Sequence, residues 1–481
     1  MKKITLEWLN SAKDDLLIIT KIIDDVSLTH QVAFHAQQAV EKSIKSVIEE
    51  FEIDLIKTHS LETLFGKIQG FIKDHLPSKN QKEAIKNRLA EGETLIILDD
   101  FSVTIDLNRN IRKLKIPCID LENAYVEKYI VDNNPLLLCG GVWGAGRLTY
   151  HPPNPEVGST SGEVWLTEFK PFQVTKLDIE YFIEQRSHFT LQEWMSLLLT
   201  SMGYNPEVYS TEQQLLLLTR LIPIVHPRVN MIELSPKGTG KSFLYTNLSR
   251  YTRVVSGGKV TPAVLFYNNA TNQPGLLTRY DVVVLDEVQT LTFDSPGEVI
   301  GVLKDYLESG RFSRGKHQAT GEASITMLAN IGIDSSGSPR EPILFRNLPS
   351  FLQETAFIDR LHGILPGWLL PRISRRSPAE GVGFKADFFA EVLHCLRTRD
   401  GYMEYFGDNV RITGTDDMRD KKAIERMASG YLKLLFPHFT LKKDELYQYC
   451  ALPAARMRQR VRDQLARLDP EYKEVTIGVE V

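Results

Sequence analysis

The residues best equipped for chemistry lie near the middle of a 481-residue chain. Ser235-Pro-Lys-Gly-Thr-Gly-Lys-Ser242 sits between an apolar run, Val229–Leu234, and a helical stretch starting at Phe243. Strand, glycine-bearing turn and helix form the context that a phosphate-binding loop needs. Backbone N–H groups of residues 238–242 can wrap a β-phosphate, and the helix N-terminus adds partial positive charge. The binding set is then Pro236, Lys237, Gly238, Thr239, Gly240, Lys241 and Ser242, and the ligand is ATP. Lys241 would bridge the β- and γ-phosphates and Ser242 would hold Mg²⁺. Ser235 stands where the strict pattern has its first glycine.

A second element makes the loop more than a chance turn. Asp281-Val-Val-Val-Leu-Asp286-Glu287 reads as an apolar strand ending in two carboxylates, and charges leaving a buried strand need partners. Asp286 would reach Mg²⁺ through water, while Glu287 would orient and polarise the attacking water. A third strand, Ser324–Leu328, leads to Asn330, whose amide could meet the γ-phosphate or that water. In Phe357-Ile-Asp-Arg360, Arg360 could act as a finger in a neighbour's site.

Several elements must position these groups. From about Phe189, helices alternate with buried strands, which reads as α/β. After about Gly383 the pattern is helical. Ahead of this lie three helical stripes. Leu9, Ala12, Leu16, Ile19, Ile23 and Val26 form the first. Ala33, Ala36, Val40, Ile44, Val47 and Phe51 form the second. Leu61, Leu64, Phe65, Ile68, Phe71 and Ile72 form the third, and the three should pack as a bundle. Thr94–Leu107, Asn110–Ile116 and Leu136–Tyr150 read as strands of a small β-domain, and residues 152–162 as a loop.

Composition is that of an ordinary globular protein, 42% hydrophobic and 25% charged. A net charge of −4 supplies no global field for nucleic acid, so any such binding must be local. Cys118, Cys139, Cys395 and Cys450 are scattered, which fits neither a zinc site nor a disulfide framework and fits a cytoplasmic setting. No signal-peptide core or membrane-spanning run is present in the sequence.

From about Arg88 to Leu468 the sequence resembles the Lon-like ATPase family of BREX phage-defence systems, BrxL. The resemblance is carried by Glu233-Leu-Ser-Pro-Lys-Gly-Thr-Gly-Lys-Ser242, Val255-Ser-Gly-Gly-Lys-Val-Thr261, Leu265-Phe-Tyr-Asn268, Asp305-Tyr-Leu-Glu-Ser-Gly-Arg-Phe-Ser-Arg-Gly315, Phe357-Ile-Asp-Arg360, Leu365-Pro-Gly-Trp368 and Gln459-Arg-Val-Arg-Asp-Gln464. It implies an AAA+ core related to MCM helicases, with rings assembled around DNA. It also implies a sensor-2 role for Arg419, with Arg426 seven residues on. Residues 313–323 would form a pre-sensor-1 hairpin presenting Arg311, Arg314, Lys316 and His317 to DNA. The β-rich segment would be OB-like. Family members usually carry a C-terminal Lon-protease-like domain. This chain has no such catalytic-serine segment after the lid region, so proteolysis is not expected.

The first residues resemble a HEPN helical domain instead, through Trp8, Ala12, Asp15-Leu16, Phe34-His-Ala-Gln-Gln-Ala-Val-Glu-Lys42 and Thr58-His-Ser-Leu61. The only arginine among the first ninety residues is Arg88, so the Arg–His pair of HEPN ribonucleases is missing. His35 and His59 then read as packing or capping residues.

The expected architecture is a multidomain α/β protein. It comprises a helical bundle (1–80), an OB-like domain (85–175), an AAA+ core (176–375) and a helical lid (376–481). The expected function is a ring-forming ATPase that couples hydrolysis to translocation or remodelling of DNA, duplex in form, in anti-phage defence. A hexamer or a double ring is expected, with other defence proteins as partners and no membrane. Two rival readings are a nucleic-acid-sensing switch with the helical bundle as output, and a protein remodeller without DNA. The basic run Arg456–Arg462 and the candidate hairpin favour DNA.

Overall fold

The computed structural model describes residues 2–23, 25–54, 58–107, 110–138, 141–153, 161–172, 177–269, 273–294, 296–314 and 317–481. The chain divides into two compact units, Met1–Thr175 and Lys176–Val481.

The first unit opens with helices α1 (Lys3–Ile22), α2 (Thr29–Glu50), α3 (Leu61–His75) and α4 (Lys82–Ala90). The expected apolar stripes are only partly buried. Leu16, Ile23, Val40, Val47, Phe65 and Ile72 are exposed, and the apolar core here is small, centred on Ile44, Ile48 and Leu64. The seam of α1 against α2 runs instead through Thr5, Ala12 and Asp15. Buried charge is matched by charge across it. Asp15 accepts from Lys42 at 2.6 Å and contacts His35 Nδ1 at 2.9 Å, while within α2 Glu41 accepts from Lys45 at 2.7 Å. Periodicity alone selects the wrong face when a helix pair closes over ion pairs. Ser60 caps α3 by accepting from the Thr63 N–H.

Five strands then close a barrel: β1 (Leu95–Asp106), β2 (Ile111–Ile116), β3 (Leu121–Val126), β4 (Val142–His151) and β5 (Glu163–Pro171). Their order is β1-β2-β3-β5-β4, and α5 (Lys128–Asn133) lies between β3 and β4. Gly146 is required by packing, because a Cβ there would lie 2.5 Å from Cζ of the buried Phe101. β3 and β5 were not among the expected strands. Glu122, Asn123, Glu163, Glu168 and Lys170 dilute their apolar pattern, and only Ala124, Val126 and Leu166 are buried. Residues 136–138, read as strand, belong to a short 3₁₀ turn. Most of the expected 152–162 loop lies outside the described residues.

The second unit is built on an all-parallel five-stranded sheet. Its strands are β6 (Met231–Ser235), β7 (Thr252–Ser256), β8 (Val282–Asp286), β11 (Ser324–Asn330) and β12 (Gly363–Pro366), in the order β12-β6-β11-β8-β7. The skipped labels are a hairpin, β9 (Arg311–Arg314) and β10 (His317–Thr320). Sheets of this kind are covered on both faces, and here alternate residues feed two separate cores. Met231, Val282, Val284, Leu328 and Leu365 pack with the helices α6 (Leu191–Ser201), α10 (Ala386–Arg397) and α11 (Met418–Leu435). Ile232, Val283, Leu285, Met327 and Ile364 pack with α9 (Pro296–Ser309) and α12 (Leu452–Leu468). Between these groups in sequence lie α7 (Thr211–Thr219) and α8 (Lys241–Asn247). Among the described residues no helix is long and apolar enough to cross a membrane.

Candidate functional site

In parallel α/β sheets ligands gather at the carboxyl ends of the strands. β6 ends at Ser235 and β11 at Asn330, and the two residues are register partners on adjacent strands. β8 ends beside them at Asp286. The loop after β6 turns through Gly238 (φ +87°) and Gly240 (φ +75°), a region glycine enters without the Cβ penalty. Gly240 then caps α8, so Lys241 and Ser242 begin the helix.

Three successive carbonyls of this loop are tied back to the protein. Gly238 O accepts from the Ile373 N–H at 2.8 Å, Thr239 O from Arg220 at 3.2 Å, and Gly240 O from the Tyr204 hydroxyl at 3.2 Å. The N–H groups of Lys237, Gly238, Thr239 and Gly240 donate to nothing among the described residues. A loop with its acceptors engaged and its donors free suits an anion such as a nucleotide phosphate.

Arg220 and Glu233 make this arrangement rigid. Both are fully buried, and the guanidinium meets the carboxylate in a two-point contact of 2.7 and 3.0 Å. Arg220 also donates to the Tyr204 hydroxyl at 2.8 Å. The pair thus joins β6 to the loop carbonyls. Sequence reasoning assigned neither residue a role. The available signal was Glu233 itself, a charge within a buried strand that must have a partner.

The Lys241 ammonium donates to Asn330 Oδ1 at 2.6 Å and to Ser235 Oγ at 3.1 Å. Burial pulls it below the ordinary lysine range, against the nearby charges of Glu233 and Asp286, which hold it up. Asp286 is buried, and its Oδ1 accepts the Glu287 N–H at 2.9 Å. Glu287 adopts φ +50°, sparsely populated for a residue with a Cβ, and its side chain faces solvent. The Asn330 N–H donates to Gln289 Oε1 at 3.3 Å, a neighbour the sequence did not single out.

Arg360 and Arg419 are not part of this cluster. Arg360 precedes β12, whose Gly363 pairs with Met231 at the start of β6, so it lies at the opposite, amino-terminal edge of the sheet. Five residues of β6 separate the two edges by about 13 Å. Arg419 joins Arg360 there. Both contact Glu308, and Arg419 also donates to Asp359 at 2.7 Å. Arg426 donates to Arg228 O and stands 3.1 Å from His362 Nε2.

The hairpin β9–β10 lies between α9 and β11, with Arg314 opposite His317. Arg311 is exposed. Arg314 donates to Tyr267 O and pairs with Glu298 at 3.5 Å, and the His317 ring stacks on Tyr267 at 4.0 Å. Gly315 and Lys316 lie outside the described residues. The basic run on α12 is only partly a free cationic face: Arg456 is exposed, but two other arginines are engaged by acids. Arg458 is buried, bonded to Asp420 at 2.7 Å and Asp359 at 2.8 Å, and Arg462 lies 3.6 Å from Asp417. That run therefore lends less support to DNA binding than its composition suggests.

Residues 164–478 match the family described as Lon-like protease BrxL-like, ATPase domain, and residues 37–150 match the BREX system Lon protease-like protein BrxL N-terminal family. The first match covers more than half of the chain, and the chain belongs to the BrxL family. It is similar to the Lon-like protease BrxL of Escherichia coli O9:H4 (strain HS), 32% identical over 407 residues, 83% of this chain and 57% of that protein. It is also similar to the Lon-like protease BrxL of Bacillus cereus (strain H3081.97), 30% identical over 409 residues, 83% of this chain and 59% of that protein. The chain thus spans less than two thirds of either relative. The N-terminal match begins within α2, further upstream than the expected start near Arg88.

Proposed function

We propose that this chain is an AAA+ ATPase that works as a ring, with each nucleotide held between two copies. The observation that carries the reading is the division of charge across one sheet. Lys241, Asn330, Asp286 and Glu287 sit at the carboxyl edge, and Arg360 and Arg419 at the amino edge. These arginines lie about 13 Å along β6 from their own chain's loop, a placement that suits groups offered to a neighbouring copy. In this reading Pro236–Ser242 holds the phosphates of ATP, and Ser242 and Asp286 hold Mg²⁺. The bound nucleotide supplies the phosphoanhydride bond to be broken. Glu287, exposed beside the loop, orients and polarises the attacking water.

The substrate in this proposal is DNA in duplex form, moved or remodelled within cytoplasmic anti-phage defence. The BREX name printed for the matching family supports that setting. The barrel order β1-β2-β3-β5-β4 is that expected of an OB-like module. The helices α1–α3 are read as an interaction module of HEPN-like form, without ribonuclease activity.

The test is subunit mixing. Arg360→Ala should lower turnover with ATP binding nearly intact, and Lys241→Ala should lose productive binding. Rings mixed from the two should regain activity, because some interfaces then have both halves intact. No recovery in rings shown to be mixed would refute a shared site.

A further inference from the structure

We propose that Glu308 is a positioning residue that couples the interfacial arginines to the hairpin, so that nucleotide and DNA sense one another. The inference rests on the reading of Arg360 and Arg419 as groups that act on a neighbour's nucleotide and of the hairpin as a DNA contact.

Glu308 occupies the last turn of α9, where the helix dipole disfavours a carboxylate. Its position is therefore not explained by helix stability. Its carboxylate instead meets Arg419 Nε at 3.1 Å and Arg360 Nε at 3.4 Å. Arg360 Nε has no hydrogen-bond acceptor among the described residues, so this ionic contact orients it together with the bond that its Nη1 donates to Ala356 O. Arg419 has a second anchor in Asp359, which is itself fixed by the buried Arg458. Glu308 is by contrast 41% exposed and Arg419 43%, and pairs this accessible exchange readily with a stronger anion. The cleft there is lined by Glu308, Asp359, Arg360, Arg419, Lys422, Arg426 and Arg458 among others. These seven carry five positive and two negative charges, an excess that a phosphate oxygen would offset.

The other half of the argument is covalent. Glu308 is followed by Ser309 and by Gly310 (φ +74°), and then by Arg311, the first residue of β9. The hairpin returns through Gly321 into β11, which ends at Asn330 on the Lys241 ammonium. One continuous segment therefore links the arginines that face a neighbour, the hairpin, and the chain's own phosphate-binding lysine. A phosphate that draws Arg360 and Arg419 away frees the base of the hairpin. DNA that pulls the hairpin withdraws Glu308 from the arginines. Linkage requires the two effects to be equal in free energy.

The experiment measures duplex DNA affinity of the full chain with and without a non-hydrolysable ATP analogue and Mg²⁺, for the unaltered chain, Glu308→Gln and Glu308→Asp. The unaltered chain should show a ratio of about fivefold or more. Glu308→Gln should bring it within about twofold of one, and Glu308→Asp, which keeps the charge, should retain much of it. The site is half-exposed, so thermal melting should show all three folded alike. A ratio unchanged in Glu308→Gln, or a ratio of one in the unaltered chain, overturns the coupling. Arg360→Ala separates the two readings. If its ATPase is undiminished, the interfacial reading itself fails. If its ATPase is lost while Glu308→Gln keeps the full ratio, only the coupling fails.

Discussion

Lys241, the first residue of α8, donates a 2.6 Å hydrogen bond to Oδ1 of Asn330, the residue that closes β11. The ammonium is thus engaged and partly desolvated. Asn330 holds it in line with the loop and sits where a water could be ordered. Asn330→Ala should leave ATP affinity within a few-fold, because phosphate replaces the lost acceptor. It should lower kcat by roughly 10- to 100-fold, the effect of losing one placed polar group. Equal kcat in the variant would remove Asn330 from the reaction.

The buried Arg220–Glu233 pair separates stability from loop geometry. Arg220→Ala leaves the Glu233 charge alone at zero exposure, which should cost roughly 3–5 kcal/mol. Replacing both residues by methionine should recover much of that loss, since apolar substitutes for a buried pair are often neutral. Thr239 O would still lack its donor, so nucleotide affinity should remain weakened. Thermal melting and nucleotide titration of both variants check this, and full recovery of affinity in the double variant would count against the clamp.

Arg311 and Arg314 should behave differently. Arg311 is exposed at the hairpin base, whereas Arg314 is held by Glu298 and Tyr267 O. Arg311→Ala should weaken binding to unrelated duplexes alike and reduce the slope of log affinity against log salt by about 0.9. Arg314→Ala should act mainly through hairpin order. An unchanged salt slope for Arg311→Ala would take that residue off the DNA path.

Lys433 gives a pH signature. Burial, aided by the Arg397 charge, pulls it down to about 7, against an unfolded value of about 10.4. Between those values the unfolded chain binds more protons, so this residue makes stability rise with pH across that window. Lys433→Met lacks this dependence. Its Tm relative to the unaltered chain should be highest below pH 7 and fall by about 5 °C towards pH 9.5. A difference independent of pH would mean that Lys433 is not held as a depressed amine.

Three strands of the parallel sheet were legible because they are buried on both faces and read as apolar runs, as in Val282-Val-Val-Leu285, whereas β7, which is not buried, and the short β12 were not. Glycines at positions 238 and 240 likewise announced the loop they form. What stayed hidden depends on partners distant in the chain. Arg220 meets Glu233, and Arg458 meets Asp359 and Asp420, through packing that no local period encodes. The α1–α2 seam misled for the same reason, since Asp15 is buried only because Lys42 and His35 reach it. Strands β3 and β5 owe their pairing to barrel closure more than to their own composition.

In the proposed reaction ATP is hydrolysed at the loop by water that Glu287 activates. Glu287→Gln keeps the size of the side chain, removes its charge and replaces one accepting oxygen by an N–H donor. The decisive measurement is nucleotide affinity and single-turnover hydrolysis on the same preparation. This variant should bind ATP with Mg²⁺ about as tightly as the unaltered chain and hydrolyse it at least ~100-fold more slowly. Hydrolysis at the unaltered rate would contradict that role of Glu287.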